Sequence, residues 1–281
     1  MAESSQSTQR LDKTLVNRGL VHSRTRAHQL INAGKVTVDG VVATKVSAKI
    51  RAGQRLALTQ QDPWVSRAAY KLMGALDAFR EIDPSGMRCL DAGASTGGFT
   101  QVLLSRGANH VVAADVGHGQ LADQLRQDPR VSNVEGANLR YVAPGDLGER
   151  FGLIVADLSF ISLRLVVDSL AQQAAPGADL VLMIKPQFEI GRQRLGRSGV
   201  VTSPELRREA LEGAVVAAGQ AGLNVRGVAR SPLPGQDGNA EFFLWARSPS
   251  AGEDAYSDDR LETVDLDRIG LEAVEFGDPA G

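Results

Sequence analysis

Four charged side chains stand where the surrounding pattern leaves little water to solvate them. Asp157 closes the apolar run Leu153-Ile154-Val155-Ala156, and Lys185 closes another over 180–184 and is followed by Pro186. Glu241 precedes Phe242-Phe243-Leu244-Trp245, and Lys71 lies among Ala69, Leu72 and Met73. Such runs read as buried strands and a buried helix face, where an ionised group needs a partner or a task. One of them alone reads equally well as a structural ion pair. Four at the same edge of a sheet read as a site.

The chemistry that suits two lysines and two acids is methylation of a ribose 2′-hydroxyl. That hydroxyl is a poor acid and must lose its proton as a methyl group arrives in line. A lysine serves as base when burial and a neighbouring cation favour its amine form. This casts Lys185 as base, Lys71 as the neighbouring cation, and Asp157 and Glu241 as groups that orient the lysines and hold the substrate. Methylation of a cytosine carbon needs a nucleophilic cysteine, and Cys89, the only cysteine, sits inside an expected strand. Enzymes that methylate base amines carry N-P-P-Y or D-P-P-Y after the fourth strand; here that position reads Asp157-Leu158-Ser159-Phe160.

A methyl donor needs its own site. Asp91-Ala92-Gly93-Ala94-Ser95-Thr96-Gly97-Gly98-Phe99-Thr100 follows an expected strand and opens a helix. Glycines there allow a sharp turn and close approach of backbone to a ligand. A dinucleotide loop has the spacing G-x-G-x-x-G. This one is D-x-G-x-x-x-G-G, and an aspartate ahead of the first glycine would repel a pyrophosphate. It suits a ligand bearing an ammonium and a sulfonium. Asp115, ending the next expected strand, is placed to accept two ribose hydroxyls, against a bland reading as a loop cap. S-adenosylmethionine fits both features, with Asp91, Gly93, Ser95, Thr96, Gly97, Gly98, Phe99, Asp115 and Asp157 as its expected contacts.

The elements that must hold these residues alternate. Strands are expected at 88–91, 111–116, 131–134, 153–157, 180–185, 225–230 and 241–246, with a lead-in helix at 67–79 and the clearest later helix at 204–221. Alternation predicts an α/β fold with a Rossmann-like, seven-stranded, mostly parallel sheet, and the last two strands, with no helix between them, predict an antiparallel finish. The domains expected are residues 1–59, a linker at 60–66 in which Pro63 bars a helix, the large domain at 67–249, and an acidic tail at 250–281 expected to be disordered.

The first domain reads as α+β. Leu11, Leu15 and Leu20, then Ala27, Leu30 and Ile31, mark two short helices, with Gly19 as a stop, Ser23 as an N-cap and Gly34 as the second stop. Asp39-Gly40 is a hairpin turn between Val36–Val38 and Val41-Val42. Arg18, Arg24, Arg26 and Lys35 flank the second helix and its exit; charge alone divides evenly between a solvated face and a phosphate-contacting patch. The pattern Leu11-Asp12-x-x-Leu15, Gly19, Ser23-Arg24, Ala27, Leu30-Ile31, Gly34-x-Val36-x-Val38-x-Gly40 and Ile50-x-x-Gly53 resembles the RNA-binding domain first named in ribosomal small-subunit protein four. The resemblance implies RNA contact by Arg18, Arg24, Arg26 and Lys35.

Charge is distributed to match. Residues 1–60 hold ten Lys/Arg against three Asp/Glu, and residues 253–281 hold two against ten, although the whole chain is only -2. The basic head is the part that could meet phosphate. A single cysteine excludes an internal disulfide and a cysteine metal cluster, and four scattered histidines show no zinc spacing. No metal is expected. The polar start is unlike a signal peptide, and no apolar run approaches a membrane span. A cytoplasmic location is expected, and oligomeric state stays open.

Lys71, Asp157, Lys185 and Glu241 match in order the Lys-Asp-Lys-Glu tetrad of the FtsJ-like ribose 2′-O-methyltransferases. With the RNA-binding head, residues 11–247 resemble the TlyA family. The resemblance implies S-adenosylmethionine-dependent methylation of cytidine ribose in 16S and 23S ribosomal RNA, hence partners in the 30S or 50S subunit. It also places Phe160 near the cofactor or the target base. An Arg-Ala-Trp-type linker common in the family is replaced by Asp62-Pro63-Trp64. Members of the family have also been described as hemolysins, but a pore-former predicts a secretion signal and an amphipathic membrane segment. A non-catalytic RNA-binding factor predicts loss of tetrad residues. The segment 191–199, with Arg192, Arg194 and Arg197, reads equally as a cover for bound RNA or as a surface loop.

Overall fold

A computed structural model of the chain describes residues 8–21, 24–32, 34–59, 63–196 and 198–250. The expected N-cap Ser23, the loop residue Arg197 and the tail from residue 251 lie outside the described residues. Two compact units divide between Pro63 and Trp64, inside the stretch read as a linker.

The smaller unit begins with Gln9–Arg10 (β1), then the helices Leu11–Asn17 (α1) and Arg24–Asn32 (α2). Strands Val36–Val38 (β2), Val41–Val42 (β3), Lys49–Ile50 (β4) and Leu56–Leu58 (β5) follow. Leu11 and Leu15 fall one turn apart on α1 and meet Ala27, Leu30 and Ile31 of α2, Val36, Ile50 and Leu56 in one core. The β2–β3 turn takes Asp39 and Gly40 through positive φ, at 50° and 84°, as a two-residue hairpin demands. Strands β3, β2 and β5 form an antiparallel sheet. The pairing of β1 with β4 was not legible in the sequence, since two residues carry no period.

In the larger unit, Ala68–Ala78 (α3) leads to Arg88–Ala92 (β6), Gly98–Ser105 (α4), His110–Asp115 (β7), Asp123–Arg126 (α5), Val131–Glu135 (β8) and Phe151–Ala156 (β9). Then come Val167–Gln173 (α6), Ala174–Ile184 (β10), Pro186–Glu189 (α7), Pro204–Gln220 (α8), Asn224–Arg230 (β11) and Phe242–Arg247 (β12). Trp64 and Val65 pack against the core ahead of α3. The seven strands lie in the order β11-β12-β10-β9-β6-β7-β8. Only β12 runs against its neighbours, so the expected seven-stranded, mostly parallel sheet with an antiparallel finish is what forms.

Strands β6, β7, β9 and β12 and the second half of β10 are mostly apolar because both faces are covered. Leu90, Ile154, Leu182 and Leu244 face one layer of packing with Leu170 and Leu211. Their neighbours Cys89, Leu153, Val181 and Phe243 face the other, with Leu72 and Leu103. Strand order departs in opposite directions from β6, to β7 on one side and β9 on the other, and this switch point is where open sheets bind ligands beyond the carboxyl ends of the strands.

Element ends differ from expectation by small, consequential steps. Strand β10 starts at Ala174 rather than 180, because Ala174 already pairs with Phe151 before an irregularity that accommodates Pro176-Gly177. Asp157 and Lys185 each sit one residue beyond their strands and Glu241 one residue before β12. The three side chains leave the ladder together at its edge.

Candidate active site

The loop after β6 is built around Asp91. Its carboxylate is fully buried; one oxygen accepts the Thr100 backbone N–H at 2.7 Å and the Thr100 hydroxyl at 2.6 Å. The other, Oδ1, is buried with no hydrogen-bond partner among the described residues. Burial pushes the Asp91 carboxyl up to about 7; the Thr100 bonds oppose this, and the charges of Asp157 and Asp115 add to it. Three carboxylates therefore converge on one end of the sheet, an environment that favours a cationic ligand and leaves a buried acceptor waiting for a donor.

The glycines act mostly on the protein itself. Gly93 has φ +85°, and a Cβ there would lie 2.8 Å from the Asp157 carbonyl oxygen. A Cβ on Gly97 would run into Leu121 and Leu125, and one on Gly98 into Ser66 and the Ala69 backbone. Close packing at the start of α4 is thus enough to keep Gly97 and Gly98 small, and it leaves their backbone available to a ligand. The Phe99 ring is buried 6.3 Å from that of Phe243, so its backbone is the part placed to meet a ligand. Ser95 and Thr96 are exposed. Asp115 accepts the N–H of Ser95 at 2.8 Å and of Gly117 at 2.7 Å, so it does cap its loop, with a lone pair left on each oxygen for further donors.

At the adjoining strand ends, Lys71 Nζ of α3 donates to Glu241 Oε2 at 2.5 Å, both side chains buried. Lys185 Nζ lies 2.6 Å from Asp157 Oδ1, an ion pair outside hydrogen-bond alignment, and donates to Ser159 Oγ at 2.8 Å. Antiparallel pairing of Ile184 with Phe242 sets Lys185 opposite Glu241 across the β10–β12 ladder. Parallel pairing of Ala92 with Ala156, continued by the Asp157 N–H on the Ala92 carbonyl at 3.0 Å, sets Asp157 beside the Gly93 loop. The four expected residues thus gather at the edge, but the group that Lys185 touches is a carboxylate rather than Lys71. Ser159 was missed; a serine two residues past a strand carries no distinguishing signal.

Phe160 follows with φ +65°, and its ring is 89% exposed, 5.4 Å from that of Phe188. Its outward face is therefore open to a large planar partner, and among the described residues its ring contact comes from Phe188, in the segment that follows Lys185.

In the smaller unit Asp12 is fully buried and gathers three side chains: Arg10 Nε at 2.9 Å, Arg24 Nη2 at 2.6 Å and the His28 ring Nε2 at 3.1 Å. Burial works to raise the Asp12 carboxyl, yet the hydrogen bonds from Arg10, Arg24 and His28 prevail and hold it well below the usual carboxylate range. Arg24 is half-exposed and held in place by this carboxylate; Arg18 is exposed and donates to the Gln54 carbonyl at 2.5 Å; Arg26 and Lys35 are half-buried. Arg10 and His28 were not anticipated. Elsewhere, the Arg194 guanidinium is taken up by Glu209 at 2.7 Å.

A sequence profile described as FtsJ-like methyltransferase matches residues 64–248, and one described as S4 domain matches residues 9–56. The 16S/23S rRNA (cytidine-2′-O)-methyltransferase TlyA of Mycobacterium tuberculosis is 51% identical over 241 residues, 85% of this chain and 90% of that protein. Hemolysin A of Brachyspira hyodysenteriae is 36% identical over 83% of this chain and 98% of its own. A solved protein of Streptococcus thermophilus, provisionally named a hemolysin, superimposes with a TM-score of 0.69 at 34% identity, covering 96% of this chain and 97% of its own.

Proposed function

The chain belongs to the TlyA family of FtsJ-like methyltransferases, and from that premise we propose that it methylates the 2′-oxygen of cytidine ribose in ribosomal RNA of the small or large subunit. The observation that carries this reading is the Lys185–Asp157 pair at the switch point, directly beside the loop built on Asp91.

The residues present fit S-adenosylmethionine. The unpartnered Asp91 Oδ1 and the converging carboxylates suit its cationic groups, and Asp115 keeps acceptor capacity for ribose hydroxyls. Gly93, Ser95, Thr96 and the backbone of 97–99 would line the rest, with Asp157 closing the far side. When bound, it supplies an electrophilic methyl group on a sulfonium. Once neutral, Lys185 would take the 2′-hydroxyl proton onto Nζ as the oxygen bonds to the methyl carbon and the carbon–sulfur bond breaks, its electron pair staying on sulfur. Asp157 and Ser159 hold Nζ at the edge of the sheet, and Glu241 holds Lys71. General-base assistance of this kind contributes about 10²–10⁴-fold. Arg10, Arg18, Arg24, Arg26 and Lys35 would grip phosphate, which supplies affinity rather than sequence choice. A ribosomal RNA substrate would fit a cytoplasmic location. Among the described residues no helix is long and apolar enough to cross a membrane.

The experiment is transfer of a labelled methyl group to isolated small and large subunits, by wild type and by Lys185→Ala. Label on ribose 2′-oxygen that falls at least about 10²-fold in the variant is the expected result. Transfer that survives Lys185→Ala unchanged removes the base assignment, and no transfer by wild type removes the function.

A further inference from the structure

Asp157 and Lys185 belong to two segments, 157–163 and 185–189, that are joined at a second place. Glu189, at the end of α7, is 5% exposed. Its Oε1 accepts the Leu163 backbone N–H at 2.6 Å and its Oε2 accepts the Ser162 hydroxyl at 2.5 Å. Arg164 closes the contact from the other side, donating to the Glu189 carbonyl at 2.6 Å with its Nε 3.3 Å from Oε2. Burying a carboxylate is costly unless its oxygens are met by donors, and here both are.

Between the two joints the chain is bent. Phe160 has φ +65°, a conformation that costs a non-glycine residue on the order of 1 kcal/mol and persists only where the surroundings over-determine it. Lys185 grips Asp157 and Ser159 ahead of the bend, and Glu189 grips Ser162 and Leu163 behind it. Lys185 is the cap residue of α7 and Glu189 closes its single turn, so both grips issue from one rigid turn begun by Pro186. We propose that Glu189 is a positioning residue, which fixes the 157–163 loop in the bend that presents Asp157 and Ser159 to Lys185. This rests on the reading of Lys185 given above.

The test is single-turnover methyl transfer to subunit RNA by wild type, Glu189→Ala, Glu189→Gln and Ser162→Ala, each with calorimetry of S-adenosylmethionine and a pH–rate profile. A misplaced reacting group costs about 10²-fold, and that loss is expected for Glu189→Ala with cofactor affinity kept. Its pH–rate profile moves as well, because the ion pair on Lys185 is disturbed. Glu189→Gln keeps an acceptor for Leu163 and recovers most of the rate. If Glu189→Ala fails to fold, Ser162→Ala, which removes one joint, is slower and shows the same displaced profile. A rate that falls only with the folded fraction, on a wild-type profile, overturns the positioning role. That result leaves the function standing, whereas a wild-type protein that transfers no methyl group overturns both.

Discussion

Replacing Asp91 by Asn tests whether burial governs the cofactor loop. The wild-type carboxyl is displaced from an ordinary 3.8 up to about 7, chiefly by desolvation. A folded-state value above the unfolded one means that the folded protein holds a proton the unfolded chain has already released. Stability from this group is therefore greatest at low pH, declines as pH rises above about 4, and levels off beyond about 7. Between pH 5 and pH 8 the wild type crosses about two pH units of that slope, at about 1.36 kcal/mol each, or about 2.7 kcal/mol. In a unit of this size that corresponds to a relative change in Tm of about 5–10 °C. Asn keeps the acceptor for Thr100 and does not titrate, so the difference between the two proteins isolates Asp91 from every other carboxylate. Thermal unfolding of both, without cofactor, at pH 5, 6, 7 and 8 makes the measurement. Parallel curves across that range would refute the reasoning.

Three further outcomes are expected. Gly93→Ala forces a Cβ 2.8 Å from the Asp157 carbonyl at φ +85°; strain of about 1–3 kcal/mol lowers Tm and weakens S-adenosylmethionine binding, and an unchanged melt would show that the loop yields freely. Asp12 is held below the usual carboxylate range, so its stabilisation is present above about pH 4 and lost as pH falls through the folded value; hydrogen exchange of α1 and α2 amides should show that loss in wild type and not in Asp12→Asn. Arg24→Ala should reduce the slope of log affinity for subunit RNA against log salt by about 0.7–0.9, one phosphate's worth; an unchanged slope assigns Arg24 to Asp12 alone.

The sheet was legible because its central strands are apolar runs, and the helices between them force parallel neighbours. The Asp91 loop was legible because its spacing is local. Which atoms of Phe99 could meet a ligand was not local: the opposing Phe243, from a strand far along the chain, fills the space beside its ring and leaves the backbone. Asp12 next to Leu11 gave no hint that it would be fully buried, since its partners come from the next helix and from Arg10.

By itself the sequence determined which strands build the large sheet, that a basic head precedes an α/β body, and which four charged residues gather at one edge. Tertiary structure decided who touches whom. Lys71 and Glu241 are 170 residues apart, and they meet only because β12 inserts between β10 and β11, against the direction of both. Glu189 meets Ser162 only because β9 and β10 are neighbours in the sheet. Periodicity encodes the face a residue presents, since that depends on its own few neighbours; strand order depends on how whole faces pack, and no local pattern carries it.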